Sequence, residues 1–144
     1  MKASENAFKL VKMFEGCRLQ PYQDQVGVWT VGYGSTTDVT PGEAITQAEA
    51  ESRLVEDMSH AENCVNQLVT VQLTQAEFDS LCSWTFNLGC KRLRSSTMLQ
   101  RINEQRFDDA VIEMRKWDMA GGKHVPGLIR RRYAESKHFE STPT

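Results

Sequence analysis

Glu15-Gly-Cys-Arg-Leu-Gln-Pro-Tyr-Gln-Asp24-Gln-Val-Gly-Val-Trp-Thr30-Val-Gly-Tyr-Gly34 is the stretch on which the fold turns. Upstream of it, Ala7, Leu10, Val11 and Phe14 recur at helical spacing. Ser4 to Glu15 is therefore predicted to be a helix with one buried face. Ser4 suits its N-cap and Gly16 a left-handed stop. Downstream the period changes. Val28 to Tyr33 is β-branched and aromatic, punctuated by Gly27, Gly32 and Gly34. That pattern predicts a small antiparallel sheet with a turn near Asp24–Gly27. Glu15 then sits on the last turn of a helix, and Asp24 in a sheet turn.

Further along, a Thr40-Pro41-Gly42 turn precedes Thr46-Gln-Ala-Glu49, the pattern of a capping box. Leu54, Met58, Ala61, Val65 and Leu68 form a mixed stripe with no Gly or Pro between them. A long polar helix is expected there, exposed over much of its surface and serving as a strut between two lobes. Thr74-Gln-Ala-Glu77 is a second capping box. It opens an apolar helix carrying Phe78, Leu81, Cys82, Trp84, Thr85 and Phe86, ended by Asn87-Leu-Gly89. Shorter helices are predicted at Ser96–Asn103 and Phe107–Trp117. Gly121-Gly122 reads as a flexible break, and Pro126-Gly127 opens a last helix containing Arg130–Arg132. The order predicts an α+β chain with a small N-terminal sheet lobe and a helical C-terminal lobe joined by a long helix. All of residues 1–144 form one domain in this reading. The N-terminal lobe covers about 14–58, with helix 4–15 packing on the other lobe. The linking helix covers about 46–69 and the C-terminal lobe about 70–140.

Composition sets the outer limits. The chain has 144 residues, 40% apolar and 25% charged, as an ordinary globular domain does. No apolar run approaches the roughly 18–20 residues that span a bilayer. Glu5, Asn6 and Lys9 interrupt any signal-peptide core within Met1–Leu10. The chain as written is expected to be cytosolic when made and unable to cross a membrane unaided. Its net charge of −2 is uneven: residues 1–70 carry 5 basic and 10 acidic side chains, residues 71–144 carry 12 and 9. The basic excess at Lys91–Arg94 and Arg130–Arg132 is either a solvated helix face or a contact for an anionic polymer or envelope surface. The cysteines, Cys17, Cys64, Cys82 and Cys90, form no C-x-x-C pair, and no His spacing suggests a metal. They are expected to be mostly free thiols, with Cys82 buried, although their even number allows a disulfide after export.

Splitting a glycosidic bond requires a proton donor at the leaving oxygen and a second carboxylate that activates water or attacks the sugar. Glu15 and Asp24 are candidates by placement. The C-terminal end of a helix and burial against Phe14 or Trp29 both favour a protonated Glu15, as an acid needs. Asp24 lies among polar neighbours and suits the base. Thr30 could return a hydroxyl to the same cleft and hold water with Asp24. By residue type alone the signal is weak: a Glu near a helix end and an Asp in a turn are usually solvated caps, and a lone Thr is more often a plain strand residue. Tyr33 and Phe86 could stack on sugar rings and Asn87 could bond an acetamido group. Against that stand core packing for Phe86 and a helix cap for Asn87. One of Arg130–Arg132, taken as Arg131, is expected to enter the cleft and pair with Glu15, the others being solvated. Trp84 and Trp117 read as core, and His60, His124 and His138 as surface residues.

Glu15-Gly-Cys-Arg-Leu19, Tyr22-Gln-Asp24 and Trp29-Thr-Val-Gly-Tyr-Gly34 together resemble the phage-type lysozymes of glycoside hydrolase family 24, in the lambdoid form found in phages of Gram-negative hosts. Their pattern is Glu, eight residues, Asp, five residues, Thr, as here. Phe86-Asn-Leu-Gly89, Ser95-Ser-Thr-Met-Leu99, Trp117-Asp-Met-Ala-Gly-Gly-Lys123 and Pro126-Gly-Leu-Ile-Arg-Arg-Arg-Tyr-Ala-Glu135 extend the likeness. The resemblance implies an endolysin that hydrolyses the β-1,4 bond between N-acetylmuramic acid and N-acetylglucosamine with inversion, using no metal or cofactor. It implies Glu15 as acid, Asp24 as the group that orients or deprotonates water, and Thr30 as its assistant. The carboxyl groups would stand roughly 6.5–9.5 Å apart. The expected partner is peptidoglycan rather than nucleic acid, reached in the periplasm by a monomer. Two alternatives remain: a lytic transglycosylase, which has no use for Asp24 and Thr30, and an inactive wall-binding protein on the same scaffold. One departure stands out. Ser35 occupies the place where many relatives carry His.

Overall fold

The computed structural model describes residues 1–141. In chain order it contains α1 (Glu5–Glu15), β1 (Arg18–Gln23), β2 (Trp29–Gly32), α2 (Gln47–Leu68), α3 (Gln75–Leu88), α4 (Cys90–Ser95), α5 (Thr97–Asn103), α6 (Phe107–Arg115), β3 (Met119–Ala120), β4 (Lys123–His124) and α7 (Pro126–Glu140). The α+β class with a small N-terminal sheet and a helical C-terminal part is as the sequence predicts. The Ser4 hydroxyl accepts a hydrogen bond from the Asn6 N–H, and Gly16 ends α1 at a positive φ of 65°. β1 and β2 pair antiparallel, with Tyr22 opposite Thr30 and Gln23 opposite Trp29. The register slips between Arg18 and Tyr22, where Pro21 has no N–H to give the ladder. Past β2, Val31 and Ser35 exchange two backbone hydrogen bonds of 2.9 Å and fold the chain back on itself.

α3 is the spine. Every residue from Phe78 to Thr85 is buried, including the polar Asp79, Ser80, Ser83 and Thr85, because other helices cover α3 on all sides. It packs against α1, α2, α4 and α7. The capping box at Thr74 is complete, with Glu77 returning its carboxylate to the Thr74 N–H. At Thr46 only half of the box forms: the hydroxyl accepts from the Glu49 N–H at 3.1 Å. α2 runs for 22 residues and buries Ala50, Leu54, Met58, Ala61, Cys64 and Val65 along one side. Trp84 is fully buried, and Trp117 meets it edge-on with ring centroids 5.3 Å apart.

Four expectations are corrected. Cys64 and Cys90 form a disulfide, Cα atoms 5.8 Å apart, that ties α2 to α4, so only Cys17 (exposed) and Cys82 (buried) are free. The 26-residue separation hid a pairing that only the packing of α2 against α4 creates. Gly121-Gly122 is not a loose break. Both glycines have positive φ and make the turn between β3 and β4. Arg132, taken as solvated, is fully buried. His138, taken as a surface residue, is half-buried on α7 with its ring nitrogen 4.0 Å from the buried Asp79 carboxylate.

Candidate active site

Glu15 is the last residue of α1, so its side chain leaves the helix where the chain turns toward the sheet. Two features hold it. The Arg131 guanidinium, itself buried on α7, donates to Glu15 Oε1 at 3.1 Å. On the other side the backbone at Gly34 comes so close that a Cβ there would lie 2.8 Å from Glu15 Oε2. Gly34 also has φ +80°, a conformation side-chain-bearing residues avoid. The carboxylate is thus pinched between the exit of β2 and the C-terminal helix. It opens onto a cavity of about 660 Å³ whose walls include Phe14, Asn87, Val125, Leu128 and Arg131.

Asp24 is built differently. Its backbone N–H donates to the Val28 carbonyl at 2.9 Å and its carbonyl accepts from the Gly27 N–H. Its Oδ1 accepts from both Val26 and Val28 N–H groups, each at 2.9 Å. The hairpin turn therefore orients the carboxylate through one oxygen. The other, Oδ2, has no hydrogen-bond partner among the described residues. Thr30 is buried, with its hydroxyl donating to the Val28 carbonyl at 3.0 Å. Asp24 and Thr30 thus converge on one residue, Val28.

Arg131 pairs with Glu15, as expected of one of the three arginines. Asn87 lines the cavity, and its buried Oδ1 lacks a protein partner. The structure does not bring Tyr33 or Phe86 to these walls. Tyr33 is buried, its hydroxyl donating to Glu51 at 3.2 Å and accepting from Gln47 at 3.0 Å. Lys12 lies over its ring and forms an ion pair with Glu51 at 2.9 Å. That hydrogen-bonded pairing raises Lys12 above its ordinary pKa and lowers Glu51 below its own. Phe86 packs against the core from a half-buried position. Ser35 is buried, and its hydroxyl accepts from Arg53 at 3.3 Å. Arg53 also reaches the carbonyls of Thr37 and Asp38. Ser35 thus faces α2 rather than the cavity, beside Asp57, whose carboxyl burial pushes up.

Sequence reasoning missed Gly34 as a wall of the site and missed the support behind Arg131. Glu135 and Ser83 lie there, both fully buried, with the Ser83 hydroxyl 2.5 Å from Glu135 Oε2. A signal for part of this was present. Arg131 and Arg132 precede Glu135 by four and three positions, the spacing of facing side chains on a helix. Among the described residues no three His, Cys, Asp or Glu side chains gather as a metal site requires.

A sequence profile of the phage lysozyme family matches residues 12–135. The chain belongs to the phage lysozyme family. An endolysin of Acyrthosiphon pisum secondary endosymbiont phage 1 is 41% identical over 145 residues, covering 98% of this chain and 99% of that protein. An endolysin of Bacillus phage B103 is 37% identical over 142 residues; these are 96% of this chain but 54% of the relative, so the chain spans about half of that protein. Among solved structures, the muramidase domain of SpmX from Asticaccaulis excentricus superposes with a TM-score of 0.92 at 36% identity, covering 98% of this chain and 99% of that one. This phage lysozyme is an enzyme, a muramidase that cleaves peptidoglycan.

Proposed function

We propose that this phage lysozyme hydrolyses the β-1,4 bond between N-acetylmuramic acid and N-acetylglucosamine with inversion, through Glu15, Asp24 and Thr30. Glu15 protonates the leaving oxygen. Asp24 receives a proton from the attacking water, and Thr30 helps to hold that water. The observation that carries this reading is the asymmetry of the two carboxylates. Glu15 is fixed by a buried cation at a cavity wall. Asp24 is fixed by backbone N–H groups in a turn, with one oxygen uncommitted. Inversion needs such a pair, one to give a proton and one to take it. Asn87 and Arg131 border the bound sugar, and the unpartnered Asn87 amide suits an acetamido group.

The protein works as a monomer on peptidoglycan in the periplasm and so brings about lysis of the host cell. Residues 1–144 act as one domain, with α2 linking the sheet lobe to the helical lobe. Glu15→Gln keeps the shape of the acid but removes its proton. It is expected to fold normally and to lose about a hundredfold or more in lysis of outer-membrane-permeabilised cells. Lysis at the wild-type rate would remove Glu15 from its role. Mass spectrometry of the released muropeptides checks the chemistry: reducing ends are expected, and anhydro-muramoyl ends would mark a transglycosylase instead.

A further inference from the structure

Behind the cavity lies a charged cluster that the reaction as described does not use. Glu135 is fully buried on α7 and is absent from the cavity walls. Its Oε2 accepts from Ser83 at 2.5 Å, from Arg131 Nε at 3.3 Å and from Arg132 Nη2 at 3.2 Å. Its Oε1 pairs with Arg132 Nε at 2.8 Å. Arg131 in turn spends each nitrogen on a different anchor: Nε on Glu135, Nη2 on the Ser83 carbonyl at 3.4 Å, and Nη1 on Glu15 at 3.1 Å. A guanidinium is a rigid planar fork. Fixing two of its nitrogens fixes where the third points.

We propose that Glu135 is a positioning residue for the reaction, locking the Arg131 guanidinium so that Nη1 is presented to Glu15 and setting how strongly that cation holds the Glu15 carboxylate. This rests on the reading of Glu15 as the acid. The charges support it. Two buried cations, Arg131 and Arg132, face two carboxylates, Glu135 and Glu15. The cluster is neutral when Glu15 is ionised and carries one net positive charge when Glu15 is protonated. Without the charge of Glu135 the cluster carries one further positive charge, which disfavours any protonated state in it, and Arg131 loses its anchor at Nε.

The surroundings of this cluster are specific. α3 contributes Ser83 and, farther along, Asp79 near His138 of α7. α1 contributes Glu15. α6 contributes Arg115, which donates to Ser136 at 2.8 Å and pairs with Glu140. Asp118, before the β3–β4 hairpin and 2.5 Å from His124, acts on Arg132. None of these groups other than Arg131 touches Glu15 among the described contacts. A change at Glu135 therefore reaches the acid through Arg131.

The test compares wild type, Glu135→Gln, Ser83→Ala and Glu15→Gln by the pH profile of kcat/KM on purified peptidoglycan, with circular dichroism melts to confirm folding. Glu135→Gln is expected to shift the alkaline limb to lower pH by about half a unit to one unit and to lower kcat about tenfold with little change in KM. Burial already disfavours the Glu135 carboxylate, and Ser83→Ala removes a donor that stabilises it; the variant is expected to move the limb the same way by a smaller amount. It serves alone if Glu135→Gln does not fold. A folded Glu135→Gln whose profile superimposes on wild type, or a Ser83→Ala limb that stays put or moves upward, would overturn the proposal and leave Glu135 as a helix-packing charge. A lytic Glu15→Gln fails the acid assignment itself, and that outcome is separately visible because it needs neither of the other variants.

Discussion

The two carboxylates of the site are held by opposite kinds of structure. Asp24 sits in an exposed hairpin turn, oriented by backbone N–H groups that come from within four residues of it. Glu15 is held by side chains from the far end of the chain, through Arg131 at a sequence separation of 116 and Glu135 behind it. Local backbone geometry suffices for a group that stays solvated. Glu15, at the cavity wall, is held by a buried cation, and a buried charge needs partners of its own. The turn that holds Asp24 can therefore form by itself, whereas Glu15 is fully held only when α1, α3 and α7 have packed together.

The largest break in that comparison is Arg131→Ala. It leaves Glu135 and Glu15 without their shared cation, and removing one partner of a buried pair costs about 3–5 kcal/mol. Chemical denaturation is expected to show that loss, together with loss of lysis; a stability within 1 kcal/mol of wild type would mean that water reaches the cluster. Asp24→Asn attacks the other side. It keeps a turn-capping oxygen but cannot take a proton. Activity is expected to fall about a hundredfold, equivalent to about 2.7 kcal/mol of barrier, with an almost unchanged melting temperature. If stability fell as far as activity did, the contrast between the two sides would disappear.

Gly34→Ala probes the seam where the sides meet. Its φ of +80° and the 2.8 Å approach to Glu15 Oε2 penalise any side chain there. A stability loss of about 1–2 kcal/mol is expected. Activity should fall more than at a matched glycine such as Gly42, where an added Cβ meets nothing within 4 Å. The smallest effect lies away from both carboxylates, at Asp57. Burial raises its carboxyl pKa in the folded state. Its protonated form is therefore favoured by folding, and the associated stability, complete below the unfolded pKa, is lost as pH rises through the folded value. Asp57→Asn should match wild type in acid and be slightly more stable at pH 7, by about 0.5 kcal/mol or less. A melting curve showing the reverse order would assign Asp57 a stabilising bond to Ser35 or Arg53.

How far the sequence could be read follows the same division. α1, its caps and the β1–β2 turn are local. Ser4, Gly16 and the Val28–Tyr33 run sufficed to draw them, and with them Asp24. The Arg131–Glu15 pairing was foreseen only as one of three arginines, because helical phase alone does not say which side of α7 is buried. Arg132 went unrecognised for the same reason: its burial depends on α7 packing against α3 and α6, which also brings the Trp117 carbonyl to its guanidinium. The β3–β4 hairpin escaped because its strands are two residues each, too short for alternation to show beside a Gly-Gly pair. Tyr33 turns its hydroxyl to Gln47 and Glu51. Its neighbour Gly34, not its own ring, meets Glu15.

The Cys64–Cys90 bridge carries a consequence for when and where the protein is robust. Closing a 26-residue separation restricts the unfolded chain by about 3–4 kcal/mol in the loop-entropy account. Such bonds persist in oxidising compartments and are kept reduced in the cytosol. Bridged and unbridged forms of this chain therefore differ in lifetime. Among reducing thiols the unbridged form opens more often and is degraded faster, whereas in an oxidising compartment the bridged form gains protection against proteases.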